Sequence, residues 1–98
     1  MEIAARHFPS DEAIQVLAAE SLLVDRHDPT AALAALRKVT VPTEERRWRF
    51  RHGWLTADAL DALGQTDAAQ ATLRNLLAEF PDSERVRRRL EQMGSNAK

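Results

Sequence analysis

Phe8-Pro9-Ser10-Asp11-Glu12 returns 72 residues later as Phe80-Pro81-Asp82-Ser83-Glu84, and Val41-Pro42-Thr43-Glu44 stands between them. Each stretch is an apolar residue, a proline, one or two capping residues and a glutamate. Proline cannot continue a helix, and Ser, Thr or Asp just after it can cap the next one. All three therefore read as the same joint, in which one helix ends, the chain turns and another helix begins. The prolines lie 33 and 39 residues apart, a spacing that belongs to stacked helix pairs.

Each interval holds a second break. In the first, Arg26-His27-Asp28-Pro29-Thr30 separates two apolar-periodic runs, with Asp28 placed to cap and Pro29 at the first helical position. In the second, Gly64 suits a left-handed helix end, and Thr66 or Asp67 can cap the next helix. The breaks predict five main helices, at about 11–26, 29–39, 43–63, 66–79 and 83–93. No run alternates with the period of two that a strand requires. Apolar stripes support antiparallel pairing: Ile14, Leu17, Ala18, Ser21, Leu22 and Val24 in the first helix, and Ala32, Leu33, Leu36 and Val39 in the second. In the fourth they are Ala69, Leu73, Leu76, Leu77 and Phe80, and in the fifth Val86, Leu90 and Met93.

Composition agrees. Among 98 residues, 17 are alanine and 12 leucine, against seven Val plus Ile and three glycines. Helix formers dominate and strand formers are scarce, so the fold class is all-α. The length suits one domain. The absence of cysteine excludes disulfides, Cys-ligated metals and thiol nucleophiles. No apolar run approaches the length of a membrane span, and Met1-Glu2-Ile3 opens no signal peptide. Compartment stays open. A net charge of −1 argues against a dedicated polyanion binder. Alanine-, leucine- and arginine-rich, lysine-poor usage suggests a bacterial source.

The second interval resembles a tetratricopeptide (TPR) repeat, a helix–turn–helix unit. The residues that carry the resemblance are Pro81, Leu76, Leu73, Ala69, Gly64, Leu60 and Ala57. The first interval matches at Ala32, Leu36, Val39 and Leu23. It departs at His27, where the turn glycine is expected, at Glu20, where the family carries a small residue, and at Pro42, which comes two residues early. The resemblance implies an antiparallel α-solenoid over residues 1–93. Residues 1–9 would end a preceding or capping helix, 10–42 would form repeat 1, 43–81 repeat 2, and 82–93 a solvating end helix. Residues 94–98, without apolar content, are expected to be a disordered tail, and the chain reads as a segment of a longer array. A generic five-helix bundle jointed at prolines is the plain alternative.

Catalytic chemistry is poorly supplied. There are three histidines (His7, His27, His52), four serines placed mostly at joints, and no GxSxG, HExxH, P-loop or GxGxxG. Asp58 and Asp61 lie one turn apart, a spacing more typical of a solvated or ligand-facing helix surface than of a catalytic pair. The chain is expected to be no enzyme and to need no cofactor or metal.

The most unusual segment is Arg46-Arg47-Trp48-Arg49-Phe50-Arg51-His52-Gly53-Trp54. Arginine and aromatics together can contact nucleic acid. Yet Trp48, His52 and Leu55 share one helix side, which places Trp48 in the core, and Glu44 and Glu45 stand at pairing distance from Arg47, Arg49 and Arg51. By the resemblance, the first helix of each pair lines a concave groove. Its groove-facing positions fall at Arg51, Trp54, Asp58 and Asp61 in the second repeat, and at Leu17, Ser21, Val24 and Asp25 in the first. Leu17 and Ser21 stand where a carboxylate-clamping family member carries lysine and asparagine, so that clamp is absent. The function implied is a protein–protein interaction module, an adaptor or scaffold holding a partner's peptide or helix. Two other readings stand beside it: polyanion binding through the arginines at 46–51 and 85–89, and self-association through exposed array ends.

Overall fold

The computed structural model describes residues 10–39, 41 and 45–96. Five helices run in order: α1 (Ser10–Val24), α2 (Pro29–Arg37), α3 (Arg46–Ala62), α4 (Thr66–Glu79) and α5 (Glu84–Asn96). There is no strand among the described residues. Consecutive helices pack on one another, and α1 also reaches α3, so the helices form two helix pairs and a fifth helix laid against the second pair. The expected joints at Pro9 and Pro42, and the reading of residues 1–9 as a helix end, lie outside the described residues.

The joint at Pro81 is built as its residues imply. The amide of Ser83 turns back to the Phe80 carbonyl (3.1 Å). Ser83 Oγ then accepts from the Val86 amide (3.3 Å), capping α5. At the start of α2, Asp28 accepts from the Ala31 amide (3.1 Å), with Pro29 in the first turn. Gly64 ends α3 in the left-handed region at φ 82. There the Gln65 amide reaches the Leu60 carbonyl (2.9 Å) and the Gly64 amide reaches Asp61 (3.0 Å), the paired bonds of a Schellman turn. His27 takes the matching left-handed place after α1, at φ 54, where a glycine would carry no steric cost.

Several expectations are corrected. α1 stops at Val24 rather than near 26, because the chain turns through His27 and the Asp28 amide bonds back to Leu22 (2.8 Å). The residue capping α4 is Gln65, without a side-chain bond; Asp67 sits inside the first turn, where its charge favours the helix dipole. α5 continues through Gly94, Ser95 and Asn96 instead of ending at 93. No proline follows Met93 to break it, and a single glycine costs a helix only about 1 kcal/mol.

The core has two parts. One gathers Leu60, Ala57, Ala69, Leu73, Leu76, Val86 and Met93 from α3, α4 and α5, with Leu33 reaching in from α2. The other gathers Val16, Ala19, Leu36, Val39, Val41 and Leu55. The stripe expected on α1 is therefore rotated. Val16, Ala19 and the partly buried Leu23 face inward, while Ile14 is 61 %, Leu17 45 % and Val24 58 % exposed. Apolar side chains surround α1, so spacing alone could not select the face; α2 and Leu55 of α3 select it by covering Val16 and Ala19. Gly53 lets α3 approach α4, since a Cβ there would lie 2.8 Å from Leu76 Cδ1.

Two polar contacts fix the tilt of α3. Arg49 forks onto the Glu79 carboxylate through Nε and Nη2 (Nη2 to Oε1 2.9 Å) and donates from Nη1 to the Val41 carbonyl (3.2 Å). On the neighbouring side, His52 Nε2 donates to the Leu36 carbonyl near the end of α2 (2.7 Å), adding a second donor to an oxygen that already accepts from the Val39 amide (3.2 Å).

Candidate partner-binding groove

α3 presents Arg47, Phe50, Arg51, Trp54, Leu55 and Asp58 along one face, at spacings of three and four residues. Together with Glu20 and Val24 of α1 and Arg85 of α5, they line a groove of about 460 Å³. Its floor is apolar and its rim charged. Trp54 is half-buried: one side packs against the α3–α4–α5 core, the other lines the groove. Phe50 stacks on Trp54 with ring centroids 6.1 Å apart and meets Phe80 edge-on at 5.4 Å. That aromatic column leaves Trp54 little freedom to turn away.

Ion pairs tie the three groove helices together. Arg51 reaches back to Glu20 of α1 (3.0 Å). Arg89 of α5 bonds Asp58 (2.7 Å) and Asp61 (3.3 Å) of α3. Arg85 lies over the Trp54 ring at 4.8 Å, with Arg89 at 5.8 Å. Burial pushes the Asp58 carboxyl above its ordinary pKa, and neighbouring Asp61 adds to this; Arg89 and Arg85 pull the other way.

Of the residues expected in the groove, Val24, Arg51, Trp54 and Asp58 come together in it. Asp61 does not line it; it shares Arg89 with the groove residue Asp58. Leu17 and Ser21 lie on the exposed side of α1 and do not line the cavity; Ser21 Oγ instead donates to Asp25 (3.0 Å). Glu20, Arg47, Phe50, Leu55 and Arg85 line the groove without having been among the expected groove positions. Glu20 carried a signal, as the charged residue where a small one was expected; the structure turns it toward Arg51, and Ala19 makes the fully buried contact.

The arginine clusters divide among different tasks. Arg46 lies over Phe80, and Arg51 over Trp48 as well as on Glu20. Arg49 and Arg51 pair across helices with Glu79 and Glu20; Glu44 lies outside the described residues. Arg87 donates to the Pro81 carbonyl (2.7 Å), and Arg88 stands 3.8 Å from Glu84.

A family model described as tetratricopeptide repeat matches residues 51–93. Over those 43 of the chain's 98 residues the sequence is similar to a tetratricopeptide repeat. The matched stretch starts at groove residue Arg51, crosses the Gly64 turn and α4, and ends at the buried Met93 of α5. Tetratricopeptide repeats are protein–protein interaction modules and are typically non-enzymatic. Comparisons with curated proteins and with solved structures return no match. Among the described residues, no three His, Asp or Glu side chains gather as a metal site would need, and no helix is long and apolar enough to cross a membrane.

Proposed function

We propose that this chain is a non-enzymatic adaptor or scaffold segment whose groove between α1, α3 and α5 holds a stretch of a partner protein. The observation that carries the reading is Trp54: half-buried, fixed by Phe50, flanked by Arg51 and Arg85, and facing the groove beside Val24 and Leu55. A large ring with an arginine at its edge has the composition of an interface hot spot, offering wide contact area and directed bonds at little entropic cost. Arg51, Asp58 and Val24 belong to the same contact surface. Asp61 holds Arg89 at its edge, and Leu17 and Ser21 extend α1 beyond it.

A photo-crosslinking amino acid placed at Val24 or at Arg47, both exposed groove positions, tests this against the same group at Arg74, exposed on α4. The expected result is a partner protein captured at 24 and 47 and not at 74. Capture at 74 alone, or equally at all three, would place the interaction elsewhere.

A further inference from the structure

The charges in the groove are not all of equal standing. Its carboxylates are committed: Glu20 to Arg51, and Asp58 to Arg89, which also holds Asp61. Arg47 and Arg85 line the same groove, and among the described residues neither has a carboxylate within ion-pair distance. Arg85 instead lies over the Trp54 ring, 4.8 Å away, and 5.9 Å from Phe50. A guanidinium stacked on a ring keeps its N–H edge free and oriented, so it can still take a carboxylate in two parallel bonds. The cavity therefore has an apolar floor and, among the described residues, two cations outside any ion pair, of which Arg85 also favours the charged form of Asp58, in a chain whose net charge is −1.

From this arrangement, and resting on the groove reading of the function, we propose that the partner segment is acidic with an apolar anchor: a large apolar side chain on Trp54, Val24 and Leu55, flanked by Asp or Glu side chains that pair with Arg47 and Arg85. Spacing limits the segment. Arg47 and Trp54 are seven residues apart on α3, about 10 Å along its axis. An extended chain covers that in about three residues. The two carboxylates then stand three or four residues apart with the anchor between them. A nucleic acid fits less well, because Glu20, Asp58 and Asp61 would face its phosphates and an apolar floor offers them nothing.

The test is a selection of random dodecapeptides displayed on phage, made on the immobilised full chain. Affinities of the enriched peptides are then measured by fluorescence anisotropy, against a single-stranded DNA 12-mer. Enrichment of Asp or Glu around an aromatic or aliphatic residue is expected. Binding should weaken at least tenfold on Glu→Gln exchange in the peptide and on Arg85→Glu or Arg47→Glu in the protein. A Lys-substituted peptide should recover binding to the Glu variants. Both arginines are exposed in first helical turns, where glutamate is tolerated, and a thermal melt checks each variant. Enriched peptides that are neutral or basic, need Trp54 and ignore both arginines would overturn the acidic assignment and leave the groove reading standing. Peptides that bind Trp54→Ala as tightly as the parent would overturn both. An empty selection, with or without Arg85-dependent capture of the DNA, overturns the acidic-peptide proposal.

Discussion

Ile14 of α1 and Val86 of α5 occupy matching positions after the two Phe-Pro joints, yet Ile14 is 61 % exposed and Val86 is fully buried. The difference is one of neighbours. α5 rests this face on α4 and turns Arg87, Arg88 and Glu91, all exposed, to the far side. α1 buries its opposite face, Val16 and Ala19, under α2 and Leu55. Truncating Val86 to Ala should therefore cost about 2 kcal/mol, as a cavity in a packed core usually does. Ile14→Ala should stay within about 0.5 kcal/mol, as at other surface positions. Urea-unfolding midpoints of the two variants decide it, and equal losses would mean that Ile14 is packed.

His27 and Gly64 offer a matched pair of backbone tests. Both sit at positive φ after the first helix of a pair, at 54 and 82. A side chain in this region costs about 1 kcal/mol. His27→Gly should thus stabilise the fold by roughly 0.5–1 kcal/mol, after the greater freedom of glycine in the unfolded chain is offset. Gly64→Ala should destabilise by about 1 kcal/mol for conformational reasons alone, since a Cβ there meets nothing within 4 Å. Opposite shifts in melting temperature are expected. Shifts of the same sign would show that backbone conformation does not govern these turns.

Elements whose ends carry punctuation were legible in the sequence. α4 runs from Thr66 to Glu79 as its spacing predicts, because Gly64 and Pro81 bound it and only one of its faces is apolar. α1 was legible as a helix but not in its rotation, since Ile14, Leu17 and Val24 compete with Val16, Ala19 and Leu23 on other sides. In the groove, Arg51, Trp54 and Asp58 follow from their place in the repeat. Glu20 and Arg85 do not. Each comes from another helix, Glu20 from 31 residues before Arg51, and its role is set by which side chain the packing brings opposite.

Gly53 is the close-approach point of α3 on α4, a role the sequence did not announce. Gly53→Val should lose about 2 kcal/mol or more, because the added branches press on Leu76, itself buried in the core. Gly53→Ala should fall within about 1 kcal/mol of the parent: the gain in helix propensity opposes the shift forced on the Leu76 methyls. Denaturant midpoints with unchanged slopes test both. A Val variant as stable as the parent would mean that α3 and α4 can separate freely at this point.

Glu79 and Asp58 should bend the pH dependence of stability in opposite directions. The Arg49 hydrogen bonds hold the Glu79 carboxyl below its ordinary range. Stabilisation from this residue is full above the unfolded-state pKa, about 4.3, and disappears as pH falls through the lower folded value. Burial raises Asp58 despite Arg89 and Arg85. Its contribution is present below the unfolded-state pKa, about 3.9, and is lost as pH rises through the folded value. Glu79→Gln should therefore lower the urea midpoint at neutral pH and converge on the parent in acid. Asp58→Asn should leave the neutral-pH midpoint unchanged or raised, since a desolvated charge is removed and Arg89 keeps Asp61 at 3.3 Å; this variant too should converge on the parent in acid, from the other side. An offset for Glu79→Gln that is the same at every pH would show that the Arg49 fork acts through packing and not through charge.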